Sequence, residues 1–244
     1  MNLAIDIGNT RIKLAFFAGE TLIEKLILDE FIPEEIFNLA TNRKVKHIIF
    51  SSVAGDLDKE FEKQLRLHFF LLLLNAKTPI PIQNDYKTPS TLGKDRVAAL
   101  VGAYSLFPNK TCLVIDAGTC ITYDILNSEG TFLGGNISPG MKMRLKAMHY
   151  FTNQLPLPKI KATKTNWGDS TEGALLNGAQ LGTLLEIEGF INLCHSDFGE
   201  TITFLTGGDA IFFANKIKKK IFVRPNLVLT GLNKILNYNV KHSI

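Results

Sequence analysis

The sequence predicts an α/β protein made of two similar halves, residues 1–108 and 109–244, on three observations. An apolar run opens each half and ends in an Asp-x-Gly turn, at Asp6-Ile7-Gly8 and at Asp116-Ala117-Gly118. A strand-like run returns from each turn, over residues 11–17 and 120–126, which is the turn chemistry of a β-hairpin. Gly19-Glu20 and Glu129-Gly130 then turn the chain into third runs, 21–28 and 131–137, and helical patterning follows. A strand–strand–strand–helix order is therefore written twice.

The remaining elements follow in order. Residues 33–40 start with Pro33 at a favoured early helix position and carry Glu34 and Glu35 in the first turn. Residues 45–51 read as a buried strand, 56–67 as an amphipathic helix and 69–73 as a strand. The spacing of Val97, Leu100, Val101 and Tyr104 predicts a helix over 94–106 with one apolar face. Further helices are expected over 141–150 and from Ser170 to about Cys194. The end reads as strand 201–205, helix 210–219, strand 221–223 and helix 226–238. The polar, proline-bearing segments 84–95 and 155–168 are loops of a length that usually serves function.

Composition sets the class. Hydrophobic residues make up 45% of the 244 and charged ones 20%, which excludes a disordered or fibrous chain. The net charge of +4 is spread along the sequence. Its densest basic run, 216–220, falls at the end of the expected helix 210–219, where cations complement the helix dipole. It therefore argues for no nucleic-acid partner. Cys112, Cys120 and Cys194 are odd in number and lack CxxC spacing, against a disulfide framework or a zinc site. Asp6 comes too early for a secretory signal peptide. The most apolar run, 69–74, is far short of the roughly 20 residues that span a bilayer. A cytoplasmic protein without membrane contact is expected.

The two Asp-x-Gly turns carry the chemistry. Gly8 and Gly118 lack a Cβ, so a phosphate can approach the backbone, and Asn9, Thr10 and Thr119 add short hydrogen-bonding side chains. Asp6 and Asp116 suit a cation or its waters. Lys13 is two residues beyond Arg11 on the returning strand and shares its face, within reach of phosphates. A single such turn reads as hairpin punctuation; two at equivalent positions read as a phosphate clamp. A second element, Gly93-Lys94-Asp95-Arg96, stands at the mouth of a helix, where Asp95 is held as a carboxylate and Arg96 offers a planar fork of donors. A carboxylate so placed fits a proton acceptor in phosphoryl transfer, and equally an acid in the first turn of an ordinary helix. Gly134-Gly135 and Gly207-Gly208 sit between strands and helices, where bare backbone accommodates rings and phosphates. His149 reads as a packed or solvent-bonded side chain, and Trp167 equally as a cover for a ligand or as a loop anchor. No Walker A sequence, nucleophile elbow or His–Cys cluster appears.

Taken as an ordered set, these residues resemble the type III pantothenate kinases of the acetate and sugar kinase/Hsp70/actin superfamily. The likeness runs from Asp6-Ile7-Gly8-Asn9-Thr10 to Thr230-Gly231-Leu232, with Gly93–Arg96, Asp116-x-Gly-Thr119 and Gly134-Gly-x-Ile-x-Pro-Gly140 the most specific pieces. It implies two ribonuclease-H-like (actin-like ATPase) halves, each a mixed sheet with helices, around a central cleft. It implies ATP-dependent phosphorylation of pantothenate to 4′-phosphopantothenate, the first step of coenzyme A biosynthesis. Asp6, Ile7, Gly8, Asn9, Thr10, Arg11, Ile12 and Lys13 would cradle ATP with Thr119. Asp95 would take the proton of the pantothenate hydroxyl, in a pocket formed by Tyr86, Gly93, Lys94, Asp95, Arg96 and Thr171. Asp116 would hold a monovalent cation, K⁺ or NH₄⁺, while Mg²⁺ arrives with ATP. A homodimer with its active site near the subunit interface is implied, with Thr171 reaching the partner's substrate. This chain has Cys120 where the family usually has Ala, and Ser170 where it often has Asn. The alternatives are a nucleotide-binding regulatory protein of this fold and a kinase for another small hydroxylated substrate. Asp95 favours the enzyme, because a binding module needs no base at the acceptor.

Overall fold

Strand β1 (Asn2–Ile7) is buried along nearly its whole length because it lies inside a sheet, with an antiparallel neighbour on one side and a parallel one on the other. A strand covered on both faces needs a continuous apolar run rather than alternation. The computed structural model describes residues 1–8, 10–53, 55–163 and 165–242. Strand β2 (Ile12–Ala18) returns from β1 with Ile7 opposite Ile12 and Asp6 opposite Lys13. Strand β3 (Thr21–Leu28) forms the edge and alternates between exposed and half-buried positions. After helix α1 (Pro33–Asn42) come β4 (His47–Ser52), helix α2 (Lys59–His68) and β5 (Phe70–Leu73). The sheet order is β3-β2-β1-β4-β5, and Leu3, Ile5, Phe16, Ile36, Ile48 and Phe61 fill the core beside it. Helix α2 starts at 59 rather than 56 because Asp58 is its cap: Oδ1 accepts the amides of Glu60 and Phe61, both at 3.0 Å.

The polar segment that follows contains a two-residue strand β6 (Gln83–Asn84) and a 3₁₀ turn (Pro89–Thr91) before helix α3 (Lys94–Leu106). The second sheet begins with β7 (Cys112–Ala117), β8 (Cys120–Leu126) and β9 (Thr131–Pro139). Helix α4 (Met141–Tyr150), helix α5 (Thr171–Phe198), β10 (Ile202–Thr206), helix α6 (Ala210–Ala214) and β11 (Phe222–Val223) complete it. Its order is β11-β10-β7-β8-β9-β6. Without the short β6, that order repeats the first sheet strand for strand. Leu113, Ile115, Tyr123, Ile187, Leu205 and Phe213 form its core.

Two compact units result: Met1–Lys110 with Leu126–Leu133 and Asn226–Ile244, and Thr111–Ile125 with Gly134–Pro225. The last helix, α7 (Leu227–His242), belongs to the first unit and packs on α3. Glycines set that approach. A Cβ on Gly231 would lie 1.7 Å from the Ala98 carbonyl oxygen, and one on Gly102 would lie 2.6 Å from that of Leu227. Helix α3 is consequently buried on more than the one expected face: Ala98, Ala99, Gly102 and Ala103 are buried, while Val97 and Tyr104 are only half-buried. Asn2 of β1 ties α7 down further, donating to Asn233 Oδ1 at 2.8 Å and Asn237 Oδ1 at 2.7 Å.

Other departures have local causes. Helix α6 stops at Ala214 instead of 219, because the amides of Lys216 and Ile217 both close back on the Phe213 carbonyl, at 2.8 and 2.9 Å. The basic run 216–220 thus follows the helix as irregular chain. Helix α5 continues to Phe198, where Gly199 ends it with a φ of 73°. Among the described residues no helix is long and apolar enough to cross a membrane.

Candidate active site

Asp6 is the penultimate residue of β1 and only 5% exposed. Its register partner Lys13 donates from Nζ to Oδ2 at 3.4 Å. Burial pushes the Asp6 carboxyl above its ordinary range; Lys13 opposes the shift, and the charge of Asp95 adds to it. Two strands therefore pair Asp6 with Lys13 in the first unit, and the start of α3 sets Asp95 near enough for its charge to act on Asp6. Ile7 and Ile12 join the core, so they offer any ligand their backbone only. Thr10 and Arg11 are exposed in the turn. Arg11 precedes the start of β2, so strand pairing does not place it on Lys13's face. Asn9, expected among the ATP contacts, lies outside the described residues.

The two Asp-x-Gly turns differ in length: residues 8–11 link β1 to β2, whereas only Gly118 and Thr119 link β7 to β8. The Gly8 amide donates to the Arg11 carbonyl at 3.1 Å and the Gly118 amide to the Cys120 carbonyl at 3.0 Å. Both amides are engaged in their turns, so the glycines offer the missing Cβ instead. A Cβ on Gly8 would meet nothing nearer than Arg11 O at 3.4 Å, and one on Gly118 nothing nearer than Asp116 Oδ1 at 3.5 Å. Neither glycine has a φ in the left-handed region. The chain's own packing does not demand glycine at either place.

Elsewhere in the second unit it does. A Cβ on Gly140 would stand 2.2 Å from the Gly118 oxygen. One on Gly207, whose φ is 97°, would stand 2.3 Å from the Ala117 oxygen and 2.5 Å from Asp116 Oδ1. The Gly140 amide donates to Thr119 O at 3.0 Å and the Asp209 amide to Ala117 O at 2.9 Å. Gly140 and Gly207 thus serve backbone-to-backbone approach and wall the Asp116 turn, whereas a Cβ on Gly134 or Gly208 would meet nothing within 4 Å.

At the start of α3, Gly93 is the N-cap and Asp95 lies in the first turn, where its Oδ1 accepts the Arg96 amide at 2.9 Å. A Cβ on Gly93 would fall 2.5 Å from that Oδ1, so this glycine makes room for the carboxylate. Lys94 and Asp95 are half-buried. Arg96 is 6% exposed, and its guanidinium stands 5.4 Å from the Tyr86 ring and 5.7 Å from the Phe132 ring. Tyr86 and Phe132 stack at 5.5 Å with an interplanar angle of 4°. The polar loop therefore carries Tyr86 onto Arg96. Phe132 was not foreseen, because nothing local distinguishes it from any other strand aromatic. Thr171 is the exposed first residue of α5, in the second unit, beside the capping bond from the Gly173 amide to Ser170 Oγ at 3.2 Å.

One further cluster escaped the sequence reading. Glu186, on α5, accepts the Tyr123 hydroxyl at 2.8 Å and is also bonded by Ser138 Oγ and by Arg144 Nη2. Arg144 Nε donates to the Pro139 carbonyl at 2.8 Å. Burial works against the Glu186 charge, but the bonds from Arg144, Ser138 and Tyr123 outweigh it and hold the carboxyl below its usual range. The same burial and the neighbouring carboxylate push the Tyr123 hydroxyl far above its own. In sequence, Glu186 is one acid among apolar helix residues and carries no signal. His149 is exposed and bonds through Nδ1 to the Leu155 carbonyl at 2.7 Å, and Trp167 is 88% exposed. Among the described residues there is no group of three or more His, Cys, Asp or Glu side chains able to hold a metal ion.

Two sheets of the same strand order, each opening on an Asp-x-Gly hairpin, define the duplicated α/β fold of the actin-like proteins. Solved structures agree on the fold. An inorganic polyphosphate/ATP-glucomannokinase from Arthrobacter sp. strain KM superposes with a TM-score of 0.52 at 14% identity, over 97% of this chain and 98% of that one. The activator of 2-hydroxyisocaproyl-CoA dehydratase from Clostridium difficile, with bound ADPNP, gives 0.53 at 12% identity over 99% and 96%. The sequence profile described as type III pantothenate kinase matches residues 2–193. Type III pantothenate kinases from Phocaeicola vulgatus and Bacteroides fragilis are each 44% identical to this chain. The first match covers 99% of this chain and all of the relative; the second covers 98% of each. The chain belongs to the type III pantothenate kinase family. Its reaction is the family's, ATP-dependent phosphorylation of pantothenate in coenzyme A biosynthesis.

Proposed function

We propose that Asp95 is the base of this reaction and that the two Asp-x-Gly turns bind the ATP phosphates. The convergence of Lys13 and Asp95 on buried Asp6 carries this reading, since it sets a cation for phosphate beside a carboxylate for the acceptor. As the pantothenate hydroxyl oxygen bonds to the γ-phosphorus, its proton passes to Asp95, the bond from that phosphorus to the bridging oxygen breaks, and ADP leaves. Phosphoryl transfer has a loose transition state that asks for positioning and charge more than for strong basicity. Asp6, Gly8, Asn9, Thr10, Arg11, Lys13 and Thr119, with the backbone of Ile7 and Ile12, hold ATP. Tyr86, Gly93, Lys94 and Arg96 hold pantothenate, and Thr171 reaches the substrate bound by the partner subunit. The test is turnover by the purified protein with Asp95→Asn as comparison. A general base contributes roughly 100- to 10,000-fold, and a loss of that order in kcat with an unchanged melting temperature is expected. Near-normal kcat in Asp95→Asn sinks the assignment.

The finer parts of the reading rest on single features. Mg²⁺ accompanies ATP and neutralises its phosphate charge when bound. Asp116 holds a monovalent cation, K⁺ or NH₄⁺, in this reading; its carboxylate lies beside Gly207, where a Cβ would fall 2.5 Å from Oδ1, and a carboxylate oxygen suits such an ion. Tyr150 and Phe151, adjacent aromatics 80% and 81% exposed at the end of α4, fit burial in a homodimer. Light scattering that finds only monomer would refute that part. Residues 1–108 and 109–244 are read as the two copies of the duplicated fold, and the enzyme as cytoplasmic.

A further inference from the structure

We propose that Glu186 is a positioning residue for ATP: through Ser138, Arg144 and Tyr123 it fixes the Gly118–Thr119 turn against which the nucleotide phosphates rest. This inference relies on the reading of that turn as a phosphate site.

The connection is continuous. Tyr123 sits on β8, the strand that leaves the turn, and its hydroxyl donates to Glu186. Ser138 is the penultimate residue of β9, and Arg144 lies near the start of α4; both bond to the same carboxylate. Arg144 also holds the Pro139 carbonyl at 2.8 Å. The next residue, Gly140, donates its amide to Thr119 O at 3.0 Å and approaches so closely that a Cβ would collide with Gly118 O. One carboxylate therefore grips both the strand leaving the turn and the corner pressed onto it. A half-buried carboxylate with three donors is a firm anchor, and removing its charge leaves Arg144 and two hydroxyls to reorganise. Such a residue acts on the nucleotide through geometry, without touching it.

The experiment measures KM for ATP, KM for pantothenate, kcat and melting temperature in Glu186→Gln, Arg144→Met, the double variant, Arg144→Lys and Thr119→Ala. We expect Glu186→Gln and Arg144→Met each to raise KM for ATP about tenfold while KM for pantothenate stays within twofold. The double variant should be no worse than the poorer single one, because both break one network. Arg144→Lys should recover part of the loss. If Glu186→Gln lowers the melting temperature but shifts both KM values equally or neither, Glu186 is a structural residue and the proposal fails. If Thr119→Ala raises KM for ATP while Glu186→Gln does not, the proposal fails and the phosphate reading survives. If Thr119→Ala also leaves KM for ATP unchanged, both fail. Should Glu186→Gln not fold, Arg144→Met and Arg144→Lys decide the matter by the same criteria.

Discussion

Lys13 Nζ lies 3.4 Å from Asp6 Oδ2, yet the Asp6 carboxyl still titrates above its ordinary value of 3.8. Burial outweighs the lysine, which is more than a third exposed and therefore screened by water. An acid whose folded pKa lies above its unfolded one holds its proton more tightly when folded. Stability accordingly falls as pH rises from 3.8 through the folded value and then levels off.

Asp6→Asn tests this. The variant should be more stable than the parent at pH 8, and the difference should shrink as pH falls towards 4, while ATP turnover is lost. Thermal melts across pH check it. A variant less stable at pH 8 would mean that the Lys13 pair outweighs burial.

Glycines separate into two groups. Gly118→Ala meets only ordinary contacts and should change stability by at most about 1 kcal/mol, while raising KM for ATP, because the methyl group occupies space the phosphates use. Gly231→Ala drives a methyl onto the Ala98 carbonyl. The gain in helix propensity of about 1 kcal/mol is overwhelmed by overpacking of roughly 3 kcal/mol. Denaturant melts and ATP kinetics on both variants should show opposite patterns.

Gly93→Ala should act on Asp95. The new Cβ would fall 2.5 Å from Oδ1, and the carboxylate, as a movable side chain, gives way. A shift of this size at the acceptor should lower kcat by about 100-fold while the helix stays folded. Steady-state kinetics and circular dichroism together check it.

Asp116→Asn should raise the K⁺ concentration needed for half-maximal activity by tenfold or more. Titration of activity with KCl, at fixed ionic strength set by a large organic cation, makes the measurement. An unchanged K⁺ response would remove Asp116 from the cation site.

Much of this protein is written locally. The Asp-x-Gly turns, the returning strands and the acid in the first turn of α3 are short-range chemistry, and periodicity placed α3 and α4 at their observed bounds. Errors at the element ends came from bonds the pattern does not carry, such as the Asp58 cap and the double closure on Phe213. The sequence by itself determined the duplicated α/β order, the paired turns and the likeness to type III pantothenate kinases. Only the tertiary structure decided that burial and the charge of Asp95 act on the Asp6 carboxyl, that Arg96 is buried against Tyr86 and Phe132, and that Glu186 joins Tyr123, Ser138 and Arg144. It also decided that Gly102 and Gly231 let α3 and α7 touch. Apart from the Asp6–Lys13 pair across its hairpin, those contacts join residues well separated in sequence, and their energies depend on burial and distance, quantities that no local pattern encodes.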